Sequence, residues 1–224
     1  MRKMISRFVR AGLASAALLA LPHAWAQDAE LLVRHSEVSS GADGVRRSTE
    51  FSERVSRSGD NIWISRVLPA RTHSGHEHAN AGKQHKHLDV STASRWITRG
   101  GNGAVQMRIV PNGDKVVVNV GKTDYGNVGF DGSWAAAWHL MDPAVLSRMT
   151  AGHVAGDLTT YTLRDKDRNV KVVWNSKLQV PVLVQTASGP SRRQTVVEVL
   201  GPSATRPWDK LKAFTQKDYS DYLD

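Results

Sequence analysis

VRRSTEFSERVSRSGDNIWISRVL, residues 45–68, is the stretch of sequence that decides the fold. Its first half places apolar and β-branched side chains only on odd positions: Val45, Thr49, Phe51 and Val55. This alternation is typical of a half-buried β-strand. Residues 58–61 read Ser-Gly-Asp-Asn, which favours a turn, and residues 62–68 form a second strand-like run that stops before Pro69. The stretch therefore predicts a long β-hairpin.

The rest of the chain repeats this arrangement. Three more pairs of strand-like runs are joined by turn-forming residues: 105–110 with 115–120, 158–163 with 170–174, and 180–186 with 194–200. Residues 133–149 have helical features with a break at Asp142-Pro143, a pair that can cap and start a helix. Residues 207–223 begin with proline and predict a C-terminal helix. Hairpins in series with few helices predict a mainly β (α+β) fold, with an antiparallel sheet covered on one face.

The first 26 residues have the three parts of a secretory signal peptide. A basic region made by Arg2, Lys3, Arg7 and Arg10 precedes the apolar run at residues 11–21, and residues 24–26 read Ala-Trp-Ala, which fits the small-x-small cleavage rule. The apolar run is too short to span a bilayer. We therefore expect cleavage after Ala26 and a single domain of residues 27–224 in the periplasm, without stable membrane insertion.

Charge, cysteine content and motifs exclude several classes of protein. The formal net charge is +9, but residues 1–26 carry four basic and no acidic side chains, which leaves a mild +5. The basic residues are scattered among acidic ones and form no stripe with stacking aromatics, so we expect no nucleic-acid partner. Cysteine is absent, which excludes thiol catalysis and cysteine-based metal sites. Hydrolase and metalloprotease motifs are also absent, and we expect a protein that is not an enzyme.

A family resemblance adds to this prediction. The order of long hairpins, a central helical insertion and the late stretch VVWNSKLQVPVLVQTASGPSRRQTVVEVL, residues 172–200, resembles the LolA-like superfamily of exported lipoprotein carriers. Residues 173–181 are similar to the strand–turn–strand with a proline that this superfamily often shows. The resemblance covers about residues 51–200. It implies a half-barrel, in which a curved antiparallel sheet wraps helices and leaves an apolar concave face for a lipid or another apolar ligand.

A histidine-rich stretch falls outside this family pattern. HSGHEHANAGKQHKH, residues 73–87, holds five of the nine histidines. Folded as a hairpin about residues 81–82, it projects four imidazoles from one face: His76, His78, His85 and His87. Opposed Cβ atoms lie ~5 Å apart in such a ribbon, and a bound metal lies ~2 Å from each ring nitrogen. We therefore predict a site for zinc, copper or nickel, with His73 as a fifth candidate ligand.

Two other interpretations of the same stretch stay open. A three-residue loop at residues 80–82 would pair His78 with Gln84 and spoil the four-histidine arrangement. A solvated loop without a defined site is the other alternative. Where a metal does bind, binding is expected to weaken as pH falls through ~6.5, because protonated imidazole cannot coordinate.

Tryptophans indicate a second kind of site. Trp134 and Trp138 are four residues apart and therefore share one face of a helix. Together with Trp63 and Trp174 they are candidates for lining an apolar ligand cavity, with ordinary core packing as the alternative. Three functions follow from the sequence: holding a metal ion for buffering, sensing or delivery, carrying a lipid or other apolar ligand, and assisting a periplasmic enzyme through protein contacts.

Overall fold

The computed structural model describes residues 28–41, 43–69, 88–203 and 205–223. These residues form one twelve-stranded sheet: β1 (Ala29–Ser40), β2 (Arg46–Ser58), β3 (Asn61–Arg66), β4 (Ser94–Arg99), β5 (Val105–Val110), β6 (Val116–Val120), β7 (Thr150–Ala155), β8 (Leu158–Asp165), β9 (Arg168–Asn175), β10 (Val180–Ser188), β11 (Ser191–Gly201) and β12 (Thr215–Asp218). The strand order is β12-β6-β5-β4-β3-β2-β1-β11-β10-β9-β8-β7. The predicted mainly β fold with a curved antiparallel sheet is confirmed.

All four predicted hairpins are confirmed. The first consists of β2 and β3, which pair from Glu53 with Arg66 to Ser58 with Asn61. The others are β5 with β6, β8 with β9, and β10 with β11. The long strand β1, which the sequence patterns did not predict, pairs with β2 on one side and β11 on the other. It therefore joins the two halves of the sheet.

The predicted helical insertion lies between β6 and β7 and consists of short pieces. These are the 3-10 turns Lys122–Asp124 and Gly126–Val128, the α-helix α1 (Trp134–His139) and the 3-10 helix Pro143–Arg148. Ser133 caps α1 by accepting the N–H of Ala136, and Asp142 caps the following helix by accepting the N–H of Ala144. The predicted break at Asp142-Pro143 is confirmed. None of the helices in the described ranges is long and apolar enough to cross a bilayer.

The prediction of a single C-terminal helix over residues 207–223 is wrong for the middle of this range. A 3-10 helix, Pro207–Ala213, is followed by strand β12 and a second 3-10 helix, Tyr219–Tyr222. The strand has the polar sequence Thr-Gln-Lys-Asp and pairs in parallel with β6. The edge strand of a sheet has unpaired backbone N–H and C=O groups that can bind a further strand. Hydrogen bonds to this edge therefore fix the conformation of β12.

The two faces of the sheet are covered by different segments. On the concave face, apolar side chains of the strands pack against four buried residues of the insertion: Tyr125, Val128, Phe130 and Trp138. On the convex face a smaller cluster forms where Pro207–Ala213 packs: Val110, Val117, Trp208 and Leu211. The insertion thus lies across the inner face of the sheet, where it bounds a cavity.

Candidate functional site

A cavity of about 840 Å³ lies between the concave face of the sheet and residues 125–149, here named the cover segment. Its sheet wall is mainly apolar and includes Val33, Val55, Ile64, Ile97, Met107, Val170, Val172 and Val184. The cover segment adds Phe130, Ala136, Ala137, Leu140, Met141 and Val145. The size and the apolar lining are those of a small-molecule binding site.

One end of the cavity lies next to a buried arginine, two positions beyond the lining residue Val55 on β2. At this closed end, where β1 and β10 begin, Arg57 of β2 is wholly buried and donates hydrogen bonds to the backbone oxygens of Trp138 and Leu178. Its guanidinium carbon also lies 5.1 Å from the ring centroid of Trp138. Burial lowers the pKa of Arg57 to about 10, against the opposing effect of the Asp28 charge. A single side chain of the sheet thus holds α1 and the β9–β10 turn together.

His139 makes a second tie at the closed end. Its Nδ1 lies 2.7 Å from the backbone oxygen of Gln179, so the Nδ1–H donates to that carbonyl. Its ring lies 6.3 Å from that of Trp174. Burial is the largest cause of the lowered pKa of His139; the hydrogen bond to Gln179 opposes it and the charge of Arg57 adds to it. Burial therefore favours the neutral imidazole at this position more than it is favoured in water.

The opposite end carries a chain of polar side chains. At this open end, where the β1–β2, β8–β9 and β10–β11 turns lie, four residues line the cavity in contact with one another: Thr195, His35, Glu53 and Arg95. The Oγ1 of Thr195 lies 3.2 Å from Nδ1 of His35. The carboxylate of Glu53 lies 3.6 Å from Nε2 of His35 and 2.6 Å from Arg95. The chain crosses five neighbouring strands, from β11 to β4.

Glu53 holds a negative charge at the centre of this chain. Burial by itself raises the pKa of Glu53, but the hydrogen bond with His35 and the charges of Arg95, His35 and Arg66 together lower it below its ordinary value. Arg66 lies over the ring of Phe51 at 3.6 Å, and that ring stacks on His35 at 4.6 Å. The carboxylate therefore stays ionised at neutral pH and fixes the cations around it.

Two further arginines line the cavity at the open end. Arg148 ends the 3-10 helix of the cover segment, and Arg168 is the first residue of β9. Both are exposed, and within the described part of the chain neither side chain forms an ion pair or a hydrogen bond. They differ in this from Arg95, whose charge is paired with Glu53.

The four predicted tryptophans lie in different surroundings. Trp134 and Trp138 stack with ring centroids 5.3 Å apart near the closed end, as their spacing predicts. Trp174 is buried beside His139. Trp63 faces the convex side, packed against the cluster that contains Trp208 and Leu211. The cavity described above is lined by other residues, and a ligand bound by these tryptophans stays a prediction.

The predicted metal ligands His73, His76, His78, His85 and His87 lie outside the described residues. The four-histidine site therefore stays a prediction. Within the four described ranges, no group of three or more histidine or carboxylate side chains is arranged to hold a metal ion.

Sequence patterns missed the polar residues of the cavity, although a signal was present. In β2, Glu53 and Arg57 occupy the same odd positions as Phe51 and Val55. Side chains two apart on a strand share a face, so both polar residues had to enter the apolar side of the sheet. The signal that could have identified them is a charged residue at a strand position whose side chain points to the buried face.

No family model matches this chain, and no curated protein matches it. Solved structures do. A DUF1329 family protein from Desulfovibrio piger is 9% identical over 83% of this chain and 90% of its own, with a TM-score of 0.35. A domain named for outer membrane lipoprotein sorting, from Vibrio parahaemolyticus, is 9% identical over 82% and 89%, with a TM-score of 0.34. A LolA superfamily protein from Nitrosomonas europaea is 9% identical over 82% and 90%, with a TM-score of 0.31. The superfamily that the sequence resembles is thus among them.

Proposed function

We propose that this protein is a non-enzymatic carrier of the periplasm, which holds the apolar part of a ligand, such as a lipid acyl chain, in the cavity under the cover segment. The observation that carries the proposal is the cavity of about 840 Å³ with an apolar sheet wall and an apolar cover. Each methylene group buried there contributes about 0.8 kcal/mol to binding. The predicted signal peptide of residues 1–26 supports the location.

The contacts at the two ends support entry of the ligand from one side. At the closed end Arg57 and His139 join the cover segment to backbone oxygens of residues 178 and 179. At the open end the cover segment contributes the exposed Arg148 and no comparable tie to the sheet among the described residues. A chain-like ligand would enter at the open end and point its apolar end toward Met107, which lines the inner wall.

The polar chain at the open end does not favour catalysis. Thr195, His35 and Glu53 follow one another as a hydroxyl, an imidazole and a carboxylate. A hydrolase of this type also needs free N–H groups that stabilise an oxyanion beside the nucleophile. Thr195 lies within β11 and pairs with His35 on one side and Val184 on the other. The backbone groups next to Thr195 are engaged in pairing between strands and are not free to stabilise an oxyanion. This supports a binding role for these polar side chains.

A filled-cavity variant tests the carrier function. N-phenyl-1-naphthylamine, a neutral apolar fluorescent probe, should bind the purified mature protein and be displaced by hexadecanol. Val184→Trp places an indole in the cavity and should weaken probe binding about tenfold, because the ring takes part of the space that the probe would fill. Gln185→Trp is the matched control, since Gln185 is the next residue of β10 and by strand alternation points to the face opposite Val184. Equal binding by both variants and the unchanged protein would reject the proposal.

The histidine-rich stretch supports a second candidate function, the binding of zinc, copper or nickel. The observation in its favour is five histidines within residues 73–87. Elemental analysis of untagged protein from its own periplasm tests it, with His76, His78, His85 and His87 changed together to alanine. His153→Ala, an exposed histidine of β7, is the control. Stoichiometric metal in the fourfold variant would exclude this site.

A further inference from the structure

Polarity changes along the length of the cavity. Toward its interior the wall consists of buried apolar side chains such as Val55, Ile97 and Met107, which are at most 2% exposed. Toward the open end, beside the apolar Leu163 and Val170, the lining includes charged and hydroxylic side chains: His35, Glu53, Arg95, Arg148, Arg168, Thr186 and Thr195. A ligand that matches this wall has an apolar chain and a polar group at one end.

The charges that line the cavity are not balanced. Glu53 and Arg95 pair at 2.6 Å and offset each other. Of the remaining charged lining residues, Asp131 is the single acid, and its Oδ1 accepts the backbone N–H of Ser133 at 2.8 Å. Arg148 and Arg168 are the two bases, and neither has a partner among the described residues. The lining thus has an excess of one positive charge, carried by guanidinium groups that are free to bind.

The guanidinium groups of Arg148 and Arg168 indicate which chemical group of a ligand would pair with them. They present paired N–H donors that match the oxygens of a carboxylate or a phosphate. Two acids flank Arg168, Asp165 opposite it across the β8–β9 turn and Asp167 directly before it, and neither forms an ion pair with it. We infer that the cavity binds an amphiphile with an anionic head group, whose carboxylate or phosphate is held by Arg148 and Arg168 while its acyl chain lies against the apolar wall. This inference rests on the proposed carrier function.

Three ligands with the same sixteen-carbon chain test the inference by displacement of N-phenyl-1-naphthylamine: hexadecanoate, hexadecyl phosphate and hexadecanol. Preference for at least one of the anions over the alcohol is expected to be about tenfold at low salt, since charge-assisted hydrogen bonds are strong but these arginines are exposed. The preference should shrink as salt is raised. The comparison of the two anions shows whether carboxylate or phosphate is the better head group.

Two double variants locate the effect. Arg148→Gln with Arg168→Gln should abolish the preference for anions. Arg164→Gln with Lys171→Gln removes the same charge from positions of β8 and β9 that alternate with the cavity-lining Leu163, Val170 and Val172, and should leave the preference intact. Circular dichroism establishes that each variant is folded. A preference that survives the first pair of changes, or equal binding of all three ligands to the unchanged protein, overturns the inference alone. Failure of every ligand to bind overturns the carrier function as well.

Discussion

The two ends of the cavity hold their charges in opposite ways. At the closed end the buried guanidinium of Arg57 has no carboxylate in contact and is bound by the backbone oxygens of Trp138 and Leu178. At the open end Glu53 and Arg95 form an ion pair, and two further arginines stay unpaired. Carbonyl groups are neutral and cannot leave the backbone, so the closed end is suited to fixing the cover segment. The open end keeps charge available for a ligand.

The largest expected effect comes from removing the tie at the closed end. Arg57→Met keeps a long side chain but removes the donor from the buried oxygen of Trp138 and from the partly buried oxygen of Leu178. Each unsatisfied group costs about 1–3 kcal/mol, while relief from burying a charge offsets part of the loss. We expect a net decrease of about 2 kcal/mol in the free energy of unfolding, measured by urea unfolding with tryptophan fluorescence.

The control for this change lies on the other face of the same strand. Arg54 forms an exposed ion pair with Glu30 at 2.6 Å, and Arg54→Met should cost less than about 1 kcal/mol. If the two arginine variants unfold at the same urea concentration, the closed end does not hold the cover segment as described.

The second prediction concerns the ion pair at the open end. Glu53→Gln should lower the free energy of unfolding by about 1 kcal/mol at pH 7, because it removes a charged partner of Arg95 and His35. It should also strengthen binding of hexadecanoate, because it adds one unit of positive charge to the lining. Weaker binding of hexadecanoate by this variant would contradict the role given to net charge. Displacement titrations and urea unfolding measure the two effects.

The acid dependence of this pair follows from the direction of its pKa. The pKa of Glu53 is lower in the folded protein than its ordinary value of 4.5. Its stabilising effect is therefore complete above pH 4.5 and is lost as pH falls through the folded pKa. When the free energy of unfolding is measured at decreasing pH, the unchanged protein should lose the stability that ionised Glu53 contributes. The Glu53→Gln variant should not show this loss.

The third prediction separates the ends by pH. Burial lowers the pKa of His139 below its ordinary value of 6.5. Between the two values the unfolded chain binds a proton that the folded chain does not, so the free energy of unfolding falls as pH drops below 6.5. His139→Asn offers an amide donor to Gln179 without a titrating ring, and should cost less than about 1 kcal/mol at pH 7.5. If the free energy of unfolding of this variant still falls below pH 6.5 with the same slope, the effect belongs to another group.

Local chemistry accounts for the parts of the fold that the sequence predicts. Each hairpin has its turn residues between its own strands, and the break in the insertion has Asp142 capping the next helix at Ala144. Strand β12 differs, because Thr215–Asp218 has no alternation of apolar residues and pairs with β6, about a hundred positions earlier. Its conformation depends on a partner that no local pattern reveals.

The site depends even more on distant partners. Arg57 contacts residues 81 and 121 positions later in the chain. Its position in the alternation of β2 indicates that its side chain points to the inner face. Only the complete fold brings the two carbonyl groups next to that side chain. Trp63 illustrates the reverse: its neighbours Ile62 and Ile64 are buried in the concave core, so alternation alone places it on the convex face. Phase along a strand is thus readable from sequence, whereas contacts between strands are not.

The smallest expected effect is that of Gln179→Gly, which concerns backbone strain; in the described residues, non-glycine residues with positive φ are confined to the closed end. Leu140 and Gln179 are the two non-glycine residues there with positive φ, at 63° and 52°. Gln179→Gly removes the clash of a Cβ atom with the backbone, at some cost in chain entropy, and should raise the free energy of unfolding by about 0.5 kcal/mol. Leu140→Gly removes the same strain together with a side chain packed against the concave core, and should lower it by about 1–2 kcal/mol. Opposite signs are expected because the two residues share a conformation and differ in packing. Destabilisation by both changes would show that strain is not what distinguishes this end, and urea midpoints of the two variants decide it.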